Sequence, residues 1–559
     1  MYKLSRLYHT VKHLKSEQVY GQIWNRLRGK FENTEHFCKQ SVPECDGCRW
    51  PASIEILPPG MQDNKTEHLL NGKFSFVNCT HNIGWMPEWN CEYLPKLWQY
   101  NLHYFEWLWA LEYEDAKAVV SDWIDSHKLA RGQVGWEPYP VSLRLMNWCG
   151  VFFSKHRVDI ESDGEFTERL WKSFFLQCQW LIKHLEVHLL GNHYFENAAA
   201  LVFVGSCFEG QSAKKWLDCG LGILHEQIPE QILPDGMHFE LSPMYHSRMV
   251  YLLAILAATK NRLITELVEE PLERMVDALK KICHPDGQIA LLNDSALGIY
   301  NEPDQLIEYC GKLLDRDFSQ EQCGNFELPN AGYYGWRDKD DNYVICDAGN
   351  IGPDYIPGHA HADIFNFELS LGGQRVIIDS GVYDYVESDE RRYCRSTAAH
   401  NTVEINGLDQ CECWGAFRVA RRGYPRDIKF QADENGFVLS GNHSGYERVP
   451  GGPIHHRAVH WHESGRLKIC DRITSKRPVH SISHMHLHSE CEIVSFNDHE
   501  IIVSYPAGQF LINMSKQSVV SIVNSHYCPR FGIKLKSNVI CMTSEGSDIR
   551  LAYSLMNMD

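Results

Sequence analysis

The chain has 559 residues, of which 44% are hydrophobic and 23% charged; this globular composition excludes a disordered or collagen-like protein. Lys and Arg number 54 against 72 Asp and Glu, a formal net charge of −18. That balance excludes a generic nucleic-acid binder, which needs a basic footprint.

Residues 1–30 predict helix and are basic and amphipathic. They lack the uninterrupted apolar stretch and small-residue cleavage site of a secretory signal, so the expected location is cytoplasmic. Residues 31–90 are loop-rich, with Pro43, Pro51, Pro58 and Pro59. Cys45 and Cys48 form an isolated CxxC without a second pair, and the twenty cysteines read as reduced, mostly buried thiols. From about 95 to 320 the helical period dominates. In ERLWKSFFLQCQWLIKHLEVHLL, residues Trp171, Phe174, Cys178, Leu181, Ile182 and Leu185 share one broad face. Similar patterns recur near 101–112, 115–129, 141–154, 194–207, 212–229, 245–259, 262–282 and 303–315, as in stacked helical hairpins. After about 325–335 the pattern becomes short β-branched or alternating runs, at 343–349, 374–381, 466–473, 500–506, 509–513 and 518–523, punctuated by Gly, Asn, Asp and Pro. The expected organisation is an extension at 1–90, a helical domain at 91–328 and an antiparallel β domain at 329–559, with a cleft between the last two as the default site. No apolar run is long enough for a membrane span.

Polar residues set among aromatics mark the helical half. WQYNLHYFEWL offers Tyr100, Asn101 and His103, and WEPYPVSLRLMNW offers Arg144 and Trp148, as in a sugar-lined groove. GNHYFENAAAL places Asn192 and His193 at the opening of an Ala-rich helix, where Asn192 could equally be a cap. LPDGMHFELSPMYHSRMV has Glu240, Tyr245, His246 and Arg248 around a helix start, either packing or an acid/base pair on a concave rim. In GHAHADIFNFELS, His359 and His361 are two apart and would face the same side of a strand, presenting two imidazoles to one metal or one substrate. With Asp379 in IDSG and His400 in AHNTV, histidine and aspartate from adjacent strands make a zinc set, or else a satisfied polar network beneath the cleft. His484, His486 and His488 alternate on another strand with no partner motif.

In their order, QYNLHYFEWL, WEPYPVSLRLMNW, GNHYFENAAAL, DGMHFELSPMYH, GHAHADIFNFELS, IDSG and AHNTV resemble the heparinase II/III family of polysaccharide lyases and its alginate lyase-like relatives, over residues 95 to 555. The resemblance implies an incomplete (α/α) toroid followed by an antiparallel β-sandwich. It implies β-elimination on a uronic-acid-containing polysaccharide or oligosaccharide, an acidic substrate. Matched by motif, Asn192, Tyr245 and His359 fall on catalytic positions, with His193 beside them. His361, Asp379 and His400 fall on the zinc positions of metal-containing members. Tyr100, Asn101, His103, Arg144, Trp148, His246 and Arg248 are the expected substrate-binding residues. The chemistry needs such groups. A uronate C-5 proton is poorly acidic, so donors must stabilise the enediolate, a base must take the proton and an acid must protonate the departing C-4 oxygen.

The family's degradative members are usually exported, so the resemblance makes a periplasmic or secreted location the alternative. The acidic charge favours a bacterial capsule, exopolysaccharide or lipopolysaccharide glycan over densely sulfated heparin. Two other functions fit the same residues: a uronyl C-5 epimerase, and a non-catalytic glycan-binding protein of polysaccharide assembly.

Overall fold

The computed structural model describes residues 2–32, 34–48, 56–60, 64–320 and 323–558. Among the described residues, the regular elements up to Leu314 are helices apart from one hairpin, Lys73–Phe76 with Cys79–Asn82, and strands take over from Gly324.

The helices form two layers. Lys96–Tyr104, Pro138–Gly150, Gly191–Cys207 and Pro243–Ala258 pack one against the next as an inner row. Gly164–Lys183, Gln211–Gln231 and Arg262–Lys281 lie outside it, each joined to an inner helix. Sequence decides the layer. Every residue of Pro243–Ala258 is buried, as expected of a helix that is apolar nearly all round. Arg262–Lys281 instead carries Ile264, Val268, Leu272, Met275 and Leu279 as one buried stripe. This double layer is the incomplete (α/α) toroid.

Among the described residues, the strands of this half form two large antiparallel sheets and one short ladder, Cys413–Trp414 with Arg418–Val419. The smaller is a five-stranded meander of Gly324–Leu328, Tyr333–Arg337, Tyr343–Asp347, Phe367–Leu371 and Gln374–Ile377. The larger has ten strands, centred on the long pair Arg466–His486 and Leu535–Asn557. The small sheet is the middle layer of the molecule. Tyr333, Tyr343 and Ile345 join the helical core, while Tyr334, Trp336, Val344 and Cys346 join the core shared with the large sheet. Tyr343–Asp347 is therefore buried on both faces, and YVICD has no need of the alternation of a half-exposed strand. Two phenols pin the lobes together: Tyr333 donates to the Leu241 carbonyl at 2.5 Å and Tyr343 to the Lys281 carbonyl at 2.7 Å.

The strand expected over 374–381 stops at Ile377. Beyond it the backbone turns at Gly381 (φ +71°), and the Asp379 carboxylate accepts the Gly381 N–H at 2.9 Å. The Cys45 and Cys48 sulfurs lie 3.9 Å apart as free thiols. Among the described residues no helix is long and apolar enough to cross a membrane.

Candidate active site

Three segments of the helical lobe and one loop of the β lobe meet at the seam. The first is the turn into the Gly191–Cys207 helix. Leu190 (φ +63°) and Gly191 (φ +55°) both have left-handed backbone, a cost for Leu190 that surrounding contacts must offset. The turn aims the helix N-terminus, with its unpaired N–H groups, at Glu240: the Asn192 N–H donates to the Glu240 carboxylate at 3.0 Å. Only glycine fits at 191, since a Cβ there would stand 2.6 Å from that carboxylate.

The second segment is the start of the Pro243–Ala258 helix. Ser242 caps it, accepting the Tyr245 N–H at 3.3 Å, and Pro243 occupies the first turn. Tyr245 is thereby fixed one turn in, on the rim. The third is Asn293–Asp294, in the loop after the last outer helix. Asp294 N–H donates to the His359 carbonyl at 3.1 Å, and the Asn293 side chain accepts the His361 N–H at 3.0 Å. These bonds grip the β-lobe loop that carries both histidines.

At the centre, the His359 ring stacks on Tyr245 with centroids 3.9 Å apart and planes 18° from parallel. His359 Nδ1 pairs with Glu240 Oε2 at 2.5 Å. Glu240 is thus shared between the imidazole of one lobe and the helix N-terminus of the other. Burial would raise its pKa, but the facing His359 outweighs this and holds it at about 2. An ionised Glu240 fixes the proton of His359 on Nδ1 and leaves Nε2 as the basic nitrogen. Burial pushes the Tyr245 phenol well above the ordinary tyrosine value, so it stays protonated and can donate. Its hydroxyl lies 3.3 Å from that of Tyr385.

His193 lies beside this centre with its side chain 30% exposed, paired with Glu186 at 3.0 Å. Burial opposes its charge, but Glu186 prevails and raises its pKa above the ordinary histidine value. Tyr139 lies tilted against His193 with centroids 4.3 Å apart, Tyr104 meets Tyr139 edge to face at 5.8 Å, and Tyr100 meets Tyr104 edge to face at 6.0 Å. This aromatic row leads from half-buried Tyr100 to the centre.

The structure therefore brings Asn192, His193, Tyr245 and His359 together, with Tyr100 along the approach. Other expected substrate-binding residues lie elsewhere. Arg144 is fully buried, its guanidinium held by Gln177 at 2.9 Å and the Gly135 carbonyl at 2.8 Å over the Trp123 ring. Trp148 is equally buried, edge-on to Phe105. His103 bonds the Trp89 carbonyl at 3.0 Å and His246 the Met275 carbonyl at 2.9 Å, both deep among the helices. Asn101 donates back to its own helix at Leu97, 2.8 Å away. Arg248 sits beneath the row, bound to Glu196 at 2.7 Å and 3.6 Å from Glu106. For these residues the polar atoms serve packing within the toroid.

The two histidines of the HxH pair do not share a target. Residues 358–366 are loop, not strand, so the alternation expected of them does not apply. His359 faces Tyr245, while His361 turns into the β lobe toward Asp363 and His400. One ligand atom from each of those three lies within 4.8 Å of the others. His361 Nδ1, Asp363 Oδ2 and His400 Nε2 are buried without a hydrogen-bond partner among the described residues, which leaves three donor atoms for a cation. The other ring nitrogens are engaged by carboxylates, His361 Nε2 by Asp294 at 2.8 Å and His400 Nδ1 by Asp379 at 2.7 Å. Asp379, expected as a ligand, thus stands one bond behind His400, and Asp363 takes the near position. This His₂Asp set with carboxylates behind it suits zinc.

Sequence reasoning missed Asn293–Asp294, Tyr385 and Arg391. Arg391 donates to Asp294 at 2.7 Å from the β lobe and lies 4.9 Å from the Tyr385 ring. The Asn-Asp pair closing the apolar run ALL was the available signal for the first; nothing marked the other two.

The chain matches two family models, heparinase II/III N-terminus over residues 73–309 and heparinase II/III-like, C-terminal over 324–553. It is 28% identical over 323 residues to a heparin-sulfate lyase of Pedobacter heparinus, covering 51% of this chain and 47% of that one. It is 25% identical over 409 residues to a heparin-sulfate lyase of Bacteroides thetaiotaomicron, covering 61% and 57%. The matches thus span about half the length of these curated relatives. In fold it is similar to the solved structure of a heparinase III (TM-score 0.71, 16% identity, 99% of this chain and 93% of that one) and to a heparan sulfate lyase of P. heparinus (TM-score 0.59, 19% identity, 94% and 87%).

Proposed function

We propose that the chain, which belongs to the heparinase II/III-like family, is a polysaccharide lyase that cleaves a uronic-acid-containing polysaccharide by β-elimination. The observation that carries this reading is the meeting of His359, Tyr245 and the Asn192 helix terminus around one buried carboxylate, Glu240.

The roles follow from that arrangement. The uronate carboxylate sits against the Asn192 amide and the His193 imidazolium, which stabilise the enediolate as it forms. His359 Nε2 takes the C-5 proton, with Glu240 supporting the charge the imidazole gains. The electron pair left at C-5 forms the C-4 to C-5 double bond, and the C-4 oxygen leaves with the proton of Tyr245. A phenol kept neutral by burial suits that acid role better than the role of base. Half-buried Tyr100, at the outer end of the aromatic row, gives a ring for a neighbouring sugar.

The substrate in this reading is a sparsely sulfated uronate polymer, such as a capsule, exopolysaccharide or lipopolysaccharide glycan. Its support is electrostatic. The guanidiniums of Arg248, beneath the aromatic row, and Arg391, beside Tyr385, are buried and engaged by Glu196 and Asp294, so neither is left to meet dense sulfation. Product analysis across a panel of uronate polymers tests the reading, since a lyase leaves an unsaturated sugar at each new chain end.

Zinc would be held by His361, Asp363 and His400, oriented by Asp294 and Asp379, and would supply a fixed charge that ties together loops of the β lobe beside the site, with Asp294 of the helical lobe behind His361. Elemental analysis of the purified protein is expected to find zinc. His361→Ala is expected to lower both the metal content and the melting temperature, and chelation to lower the melting temperature of the parent but not of the variant. Equal melting temperatures with and without chelator in metal-loaded parent protein would remove zinc from the account.

A further inference from the structure

The helices Tyr2–Val11 and Ser16–Phe31 are amphipathic, but they are docked with the polar face inward. On the first helix, Thr10 accepts from the Trp414 indole at 3.1 Å and Ser5 from Arg421 at 2.8 Å. On the second, Gln18 donates to the Tyr355 carbonyl at 3.0 Å and Asn25 meets His188 at 2.9 Å. Gly21 lies so close to His188 that a Cβ would be 2.9 Å from its Cβ. The pair thus straps the β lobe to the helical lobe through its hydrophilic side.

The apolar side faces solvent. Leu4, Leu7, Tyr8 and Val11 recur at helical spacing on the first helix and are exposed. Val19, Tyr20, Ile23, Trp24, Leu27 and Phe31 do the same on the second, with Tyr20 at 68% and Phe31 at 83% exposure. Hydrophobic burial normally turns such a stripe toward the body of the protein, and a continuous exposed band marks a surface that meets something else.

Charge indicates what it meets. Residues 1–31 hold seven Lys or Arg and one acidic residue, Glu17, in a chain whose net charge is −18. Lys3, Lys12 and Arg26 are exposed beside the apolar band. Pairing of this face with its counterpart on a second copy would oppose like charges. An anionic bilayer satisfies both features: the band enters the headgroup boundary, the cations meet lipid phosphates, and Tyr8, Tyr20 and Trp24 sit at the interfacial depth that amphipathic rings favour. The acidic remainder is repelled, which orients the strap toward the membrane.

We propose that the Tyr2–Phe31 helix pair is an interfacial anchor that binds the chain to anionic lipid surfaces without crossing them. Gln18 also reaches the Leu189 carbonyl at 3.5 Å, next to the Leu190–Gly191 turn of the site, so anchoring would hold the cleft close to the membrane surface.

The test is co-sedimentation of the full chain with vesicles of phosphatidylcholine alone or mixed with phosphatidylglycerol. Binding is expected to the mixed vesicles and to weaken as salt rises. The double substitution Ile23→Glu and Trp24→Glu should reduce it roughly tenfold or more. Leu4→Gln with Leu7→Gln on the other helix is a milder check should the first variant fold poorly. Lys3→Gln with Lys12→Gln and Arg26→Gln should flatten the salt dependence. Circular dichroism and activity on a soluble oligosaccharide should be unchanged in all three, because the altered side chains already lie in water. The proposal is overturned if neither vesicle is bound at low salt, or if binding is equal on neutral vesicles and indifferent to salt. It is also overturned if light scattering shows self-association that the same substitutions abolish, with no vesicle binding.

Discussion

Tyr245→Phe is expected to reduce cleavage by about 10³-fold while leaving the fold intact. The substitution keeps the ring that stacks on His359 at 3.9 Å and removes only the hydroxyl, which lies 3.3 Å from that of Tyr385. Loss of one such neutral bond costs about 1 kcal/mol, so the melting temperature should hardly move. Substrate binding should also persist, because Asn192 and His193, the groups proposed to meet the uronate carboxylate, are untouched. The expected pattern is therefore a fall in kcat at nearly constant KM, measured as the rate of unsaturated-product formation. Full activity in the variant would reassign the acid.

Glu240→Gln is expected to lower kcat by roughly 10²-fold to 10⁴-fold with a smaller change in KM. Glu240 is a positioning residue in this account: it lies behind His359 and touches it at Nδ1, fixing which nitrogen is basic. An amide is nearly isosteric but has no charge to support the imidazolium, and it can present N–H where the carboxylate presented only acceptors. A stability readout separates this role from mere packing. Burial pushes the carboxyl upward, but His359 overrides that and carries it from an ordinary 4.5 down to about 2 in the folded protein. A depressed folded value stabilises the native state fully above the unfolded value, and that stabilisation is lost as pH falls toward about 2. The parent should lose stability across that acidic window through this group, and the variant should show a flatter dependence. Equal slopes would mean that Glu240 carries no charge linked to folding.

Much of the fold was legible because its signals are local. The apolar-all-round helix at 243–258 and the one-sided helix at 262–281 announce their layers through composition alone. The helix start at Tyr245 could be read from Ser242–Pro243, a cap followed by a first-turn proline. Legibility ended where roles depend on which lobe a side chain meets. On a strand His359 and His361 would face one target, but a loop lets neighbouring residues diverge, and each histidine serves a different cluster. Asp379 is the expected ligand, but the turn at Gly381 commits it to His400, and Asp363 takes the place beside the two histidines. Arg144 and Trp148 looked like groove residues because cations among aromatics serve both sugar binding and core packing. Amphipathicity of residues 1–30 was evident, whereas the direction of its apolar face was not: periodicity fixes that a helix has two sides but not which one docks.

The central claim is that one uronate residue loses its C-5 proton and its C-4 oxygen at the His359–Tyr245 centre. The most direct measurement is the product formed in deuterium oxide from whichever polymer in the panel reacts. The account predicts shortened chains, with one unsaturated uronate for each new reducing end. Full-length chains carrying deuterium at C-5 would instead make the protein an epimerase, and binding without any covalent change would make it a glycan-binding protein; either result contradicts the account.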